Sequence, residues 1–202
     1  MKSTIITIIY LSVSMLGLAQ ASNKYMKSGL DKFNKEDWQG AIIDYTKALH
    51  IDPKLAESFY YRAQAKSSLK DYKGAVADYS KVLEFEPDLQ VIYNTRGYLR
   101  GYRLKDYAGA MADFQKVIEL NADNEKVYYY RGLIKEMLED YRGAMQDYNK
   151  AIEISPDNGK LYFARGLLKL SINEIESGCL DFSKAGELGQ MKAYENIKKY
   201  CN

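Results

Sequence analysis

The feature that most constrains this chain is a phrase that returns at a step of 34 residues. Asp-Tyr-x-Gly-Ala stands at Asp71 to Ala75, Asp106 to Ala110 and Asp140 to Ala144. Asp37-Trp38-Gln39-Gly40-Ala41 is a fourth copy, and Glu174 to Gly178 is a worn fifth. A fixed period of this size belongs to a solenoid, in which each unit is too small to bury its own apolar face and shares a core with its neighbours. Such a chain is most often a binding surface and seldom a catalyst.

Counted from Ser22, small residues fall at the eighth place of each unit: Gly29, Ala63, Gly97, Gly132 and Gly166. A second row is Ala41, Ala75, Ala110, Ala144 and Gly178, and a third is Ala48, Val82, Val117, Ala151 and Ala185. Two antiparallel helices approach closely only where the side chains between them are small, so these rows mark where the helices of each hairpin cross. Between them, Ala41, Ile42, Tyr45, Ala48 and Leu49 carry the i, i+3, i+4 spacing of an amphipathic helix. Pro53, Pro87 and Pro156 each follow a unit's second helix, where proline stops it. The sequence therefore predicts an all-α fold in which every unit is helix, turn, helix, turn.

Residues 1–21 are a separate object. Lys2 gives a positive start, Thr4 to Leu18 is mostly apolar, and Ala19-Gln20-Ala21 places small residues where a signal peptidase reads. We read a secretory signal peptide cleaved before Ser22. A retained anchor is the competing reading, but the stretch is broken by Thr7, Ser12 and Ser14, whereas a spanning helix needs about 20 apolar residues. The absence of a Cys near position 20 excludes a bacterial lipoprotein, and no later segment is apolar enough to span a bilayer. The expected location is periplasmic or secreted. Without Lys2, 28 basic and 27 acidic residues remain, a net charge of +1 that excludes the basic footprint of a nucleic-acid binder.

The small–small–Pro pattern, with aromatics at Trp38, Tyr45, Tyr72, Tyr79, Tyr107, Phe114, Tyr141 and Tyr148, resembles the tetratricopeptide repeat family. The resemblance covers residues 22–189, divided as 22–55, 56–89, 90–124, 125–158 and 159–189. It implies a right-handed α-solenoid of five helical hairpins whose first helices line a concave groove that binds a peptide or partner protein. Three departures stand out. Ala122 replaces the expected proline, which predicts a looser junction. The third unit has 35 residues, with one extra between Arg100 and Leu104. Arg stands in the first helix of later units where the family usually has a leucine-like residue. Beside the extra residue, Gly101-Tyr102 allows a helix bulge or a longer turn, and the longer turn is favoured.

By the family's geometry the groove would hold Met26, Leu30 and Phe33, then Tyr60, Tyr61 and Gln64, then Asn94, Tyr98 and Tyr102. Tyr129, Tyr130 and Leu133 follow, then Phe163, Leu167 and Leu170. Such an aromatic trough suits an interface, because aromatic side chains bury much area for little entropy. The competing reading makes several of these residues plain core between repeats. The groove lacks the Lys/Asn row with which some family members clamp a C-terminal carboxylate.

Two charged rows keep the repeat stride. Arg62, Arg96, Arg131 and Arg165 are followed at four residues by Lys66, Arg100, Lys135 and Lys169, and Asp44, Asp78, Asp113, Asp147 and Asp181 form the acidic row. They suggest one Arg–Asp pair per repeat junction, a structural ladder that fixes stacking register rather than adding much stability. The sharper alternative is that the arginines bind an acidic ligand. Residues 190–202, with Ala193, Ile197 and Tyr200 on one face, read as a closing helix over the last hairpin. Folding that helix back about position 190 brings Cys179 opposite Cys201, which in an exported protein reads as a disulfide, with free thiols as the alternative.

Nothing proposes an active site. His50 is the sole histidine, the carboxylates are spread by the repeat, and the glycines lie within hairpins and form no phosphate loop. We expect no catalytic residues, no metal site and no cofactor. The expected function is a non-catalytic adaptor or assembly scaffold that binds another polypeptide. The alternatives are a structural protein that self-associates through its first hairpin and, further off, a thiol-redox protein using the two cysteines.

Overall fold

The structure is a computed structural model that describes residues 2–201, with side chains from residue 17 onward. The apolar stretch of the leader therefore lies largely outside the described side chains. Helix α1 (Lys2–Asn34) runs through position 22 without a break, so the first helix does not start at the expected cleavage point. Among the described residues no helix is long and apolar enough to cross a membrane.

The chain divides into two compact units, Met1–Ile92 and Tyr93–Asn202. In the first, α1 pairs with α2 (Trp38–Ile51), and α3 (Ala56–Ser68) pairs with α4 (Tyr72–Phe85). Helix α5 (Gln90–Tyr98) leads into the second unit. A π-helical turn (Leu99–Arg103) follows and packs on α6 (Tyr107–Leu120). Then α7 (Glu125–Met137) pairs with α8 (Tyr141–Ile154), α9 (Gly159–Ser171) with α10 (Ile175–Glu187), and α11 (Lys192–Tyr200) lies on α10.

The recurring phrase is a helix-start device. Asp37, Asp71, Asp106 and Asp140 precede the second helices, and each carboxylate accepts the backbone N–H three residues on, from Gly40, Gly74, Gly109 and Gly143, at 2.9–3.0 Å. A Cβ on any of these glycines would fall 2.1–2.2 Å from the other carboxylate oxygen, so cap and glycine come as a pair. In the fifth copy Glu174 makes no side-chain cap, and Ser177 stands where the other copies have glycine. The residue before each cap is left-handed yet not glycine: Glu36, Lys70, Lys105, Glu139 and Asn173, with φ between 57° and 66°.

The first small row lets aromatic rings lie on bare backbone. A Cβ on Gly29, Gly97, Gly132 or Gly166 would come within 2.7–2.8 Å of Tyr45, Phe114, Tyr148 or Phe182 respectively. Those four rings are fully buried, and the third row, from Ala48 to Ala185, is at most 2% exposed. Burying each ring stabilises its hairpin by about 2–3 kcal/mol.

Two local expectations are corrected. The extra residue of the third unit is absorbed inside the helix and does not lengthen the turn: Leu104 N–H donates to Leu99 C=O, the wider ring of a π turn. Asp106 N–H then closes on Arg100 C=O, six residues back, where Asp140 N–H closes on Lys135 C=O, five back. The turn at Ala122 keeps the side-chain bond of its proline-bearing counterpart, Asn121 Oδ1 accepting Asp123 N–H at 2.9 Å as Asp52 Oδ1 accepts Lys54 N–H at 3.0 Å. Among the described residues it lacks the backbone bond from three residues on that closes the turns at Pro53, Pro87 and Pro156. Tyr200 is exposed, because the packed side of α11 is Ala193, Ile197 and Cys201, and Tyr200 sits one residue out of that register.

Gly189, at φ +83°, makes the reversal into α11. Gln190 N–H reaches back to Ala185 C=O at 2.9 Å, a left-handed helix end that favours glycine. Ala193 and Ile197 then cover Phe182 and Ala185. The structure sets the sulfurs of Cys179 and Cys201 at bonding distance, with Cα atoms 5.7 Å apart.

Candidate protein-binding face

Both charged rows meet inside the hairpins, a correction to their expected place between repeats. Helix geometry explains it: residues four apart on a first helix share a face, so Arg and the following Lys converge on one carboxylate of the second helix. Arg62 holds Asp78 through two bonds of 2.8 and 2.7 Å, and Lys66 adds a third contact at 2.7 Å. Arg96 and Arg100 hold Asp113, Arg131 and Lys135 hold Asp147, and Arg165 and Lys169 hold Asp181, all at 2.6–3.0 Å. The five aspartates are 2–4% exposed. In the first hairpin Ser28 takes the arginine's place, and it and Lys32 each donate to Asp44 at 2.6 Å. Burial pushes the Asp44 carboxyl up, but these bonds and the charges of Lys32 and Lys47 outweigh it, so its pKa falls below the usual value.

The arginines also serve the junctions, through a different atom. Arg62 Nη1 donates to Thr46 on the preceding hairpin at 3.0 Å, and Arg165 Nη1 to Asn149 at 2.6 Å. Each arginine further lies over an aromatic ring three residues before it: Phe59, Tyr93, Tyr128 and Tyr162, at 5.4–5.6 Å from the centroid. That row escaped the sequence reading, although an aromatic three residues ahead of every arginine was there to be seen.

The aromatic residues expected to line a groove form two separate sets. In the first unit Tyr61 stacks on buried Tyr45 at 6.0 Å and meets Phe33 edge-on at 5.6 Å, which makes it largely core. Tyr60 touches Tyr61 at 5.2 Å and lines a groove of about 260 Å³ with Glu57, Glu86, Leu89, Val91 and Ile92. Gln64 is half-buried.

In the second unit Tyr98 stacks on Tyr102 at 5.0 Å and lies 5.3 Å from Tyr130, which in turn lies 5.3 Å from Tyr129. Tyr129 reaches buried Tyr148 at 6.3 Å. Burial raises the pKa of Tyr102, Tyr129, Tyr130 and Tyr148, so all four phenols stay neutral. Leu133 packs beside Tyr148, Phe163 turns 5.7 Å from core Phe182, and Leu167 is exposed. Asn94 is half-buried, and its Oδ1 is buried without a hydrogen-bond partner. Among the described residues no group of three or more His, Cys, Asp or Glu is placed to hold a metal ion.

Residues 56–89, 91–124 and 125–158 each match the tetratricopeptide repeat, half of the chain. The chain belongs to the tetratricopeptide repeat family. Comparison with curated protein sequences gives no significant match. Among solved structures, MamA is similar over 90% of this chain and 96% of its own, at 24% identity and a TM-score of 0.76. YrrB, described as a tetratricopeptide repeat protein with an unusual peptide-binding site, aligns over 86% of this chain and 90% of its own, at 18% identity and a TM-score of 0.71. PilW, a type IV pilus biogenesis factor, aligns over 85% and 79%, at 20% identity and a TM-score of 0.69. These likenesses establish the all-α, hairpin-repeat fold. Tetratricopeptide repeats form a family of protein–protein interaction scaffolds, and this chain is such a module.

Proposed function

We propose that this protein is a non-catalytic adaptor outside the cytoplasm that holds a partner polypeptide against the tyrosine faces of its first helices. The observation that carries the reading is the packed set Tyr98, Tyr102, Tyr129 and Tyr130, half-buried rings held against one another. Rings already fixed against one another lose little entropy when a partner covers them, which is what a binding anchor requires. Peptide binding by the structurally similar YrrB is consistent with it. Export is supported by the leader-like residues 1–21 and by the facing pair Cys179 and Cys201, whose oxidation would pin α11 and contribute about 3 kcal/mol.

The test is capture of a partner from envelope extract by the protein and by a variant carrying Tyr60→Ala, Tyr98→Ala and Tyr129→Ala, with circular dichroism to show that both fold. A partner held by the parent and lost by the folded variant supports the reading. Equal capture by both moves the site away from these rings. Thiol titration without reductant is expected to find no reactive Cys179 or Cys201, and free, reactive thiols would sink the oxidised pairing.

A further inference from the structure

One half-buried carboxylate in the second unit departs from the rule that its neighbours keep. Asp113, Asp147 and Asp181 each meet two cations. Glu136, on α7, accepts a hydrogen bond from Tyr148 Oη, and among the described residues no Lys or Arg lies within ion-pair distance of it. Burial raises its pKa, opposed by the Tyr148 bond.

Its position recurs at the repeat stride as Phe33, Ser67 and Leu170, so an acid here is an exception to the repeat. Satisfying the Tyr148 phenol does not explain it. The equivalent ring is Phe114 and Phe182 in the flanking hairpins, and in the first hairpin Tyr45 keeps a buried hydroxyl with no partner. The scaffold tolerates either solution, whereas removing a carboxylate from water without a counter-ion is costly.

Tyrosine rings surround this acid. Tyr129 lies seven residues earlier on α7, two turns along the same face. Besides burial, the charge of Glu136 helps to raise the pKa of Tyr102, Tyr129 and Tyr148, which places the three phenols near it. Tyr102 Oη is itself buried with no hydrogen-bond partner. A carboxylate without a counter-ion and two half-buried ring faces together lack one thing, a cation.

We infer that Glu136, Tyr102 and Tyr129 form a receptor for a lysine or arginine side chain carried on an extended segment of the partner polypeptide. The carboxylate provides the counter-charge, and the rings of Tyr102 and Tyr129 add cation–π attraction in a partly dry setting. A partner's acidic C-terminus is repelled from the same place. The inference rests on the reading of this face as the polypeptide-binding surface.

The probes are the N-acetyl methylamides of lysine, arginine and norleucine, titrated into the full chain with isotope-labelled tyrosine rings and followed by NMR spectroscopy. The lysine and arginine probes should shift the Tyr102 and Tyr129 ring signals saturably, with norleucine about tenfold weaker. Glu136→Gln keeps an acceptor for Tyr148 and is expected to weaken the cationic probes by about tenfold as well. Equal response to norleucine, or an unchanged affinity in Glu136→Gln, would overturn the inference. A Glu136→Gln protein that still captures the partner lost by the triple tyrosine variant overturns the cation receptor alone and leaves the binding face standing. Charge-dependent probe binding alongside undiminished capture by the triple variant, which lacks Tyr129, overturns the assignment of the partner's side chain to this site together with the wider face.

Discussion

The third and fourth hairpins stand side by side in one unit and solve the same packing problem with different parts. In the third the ring on the bare glycine is Phe114, both clamping cations are arginines, and an extra residue is stored as a π turn. In the fourth the ring is Tyr148, the cations are Arg131 and Lys135, and the first helix is regular. The residue after the second cation is Gly101 in one and Glu136 in the other. At Gly101 a Cβ would sit 2.5 Å from Ile134 Cδ1 on the next first helix, so that side chain would have to shift. Glu136 accepts a hydrogen bond from Tyr148. The pair shows that two hairpins can differ in length and chemistry while keeping the clamp, the cap and the ring on the glycine.

The sharpest way to break that comparison is to remove the ring. Phe114→Ala and Tyr148→Ala should each cost about 3–5 kcal/mol in urea unfolding. Values that differ by more than about 2 kcal/mol would show that the two rings are not equivalent.

Removing the clamped acid comes next. Asp113→Ala and Asp147→Ala each remove the buried carboxylate that two partly buried cations share, at a cost of about 2–4 kcal/mol. The larger loss is expected for Asp113, whose partners are both arginines, and the reverse order would argue against bidentate pairing as the main contribution.

Exchanging the rings isolates the hydroxyl. Phe114→Tyr buries a phenol with no assigned partner and should cost about 1–2 kcal/mol, while Tyr148→Phe should cost about 1 kcal/mol, because half-buried Glu136 can turn to water. A stabilising Phe114→Tyr would reveal an acceptor in the third hairpin that the fourth supplies through Glu136.

The smallest effect tests the turns. Lys105→Gly and Glu139→Gly relieve left-handed backbone at φ 57° and 61° and should raise stability equally, by about 0.5 kcal/mol in thermal unfolding. Unequal gains would mean that the π turn strains the turn after it.

The fold was legible because its signals are local and repeated. Asp-x-x-Gly is a cap with its clearance, and small residues every 34 positions mark helix crossings. Pairing the charged rows between repeats was the natural error, since both rows keep the same stride and periodicity does not tell one hairpin's second helix from the next one's. The π turn was hidden for a similar reason. One added residue fits a loop or a helix equally well by count, and the deciding fact is Ile134 pressed against Gly101, a contact between helices 33 residues apart. Among the groove residues, Tyr98, Tyr102, Tyr129 and Tyr130 do cluster, while Tyr61 and Phe163 lie against core rings. Adjacent aromatics such as Tyr60 and Tyr61 differ by 100° around the helix, and only packing shows which one turns inward.

The clamps join residues 16 or 17 positions apart, and the caps join residues only three apart. Every major polar tie is therefore short in sequence, so closing each loop costs little entropy and folding can start at any hairpin and spread along the chain. During synthesis the chain would assemble in order of emergence, one hairpin templating the next, with α11 closing over α10 last.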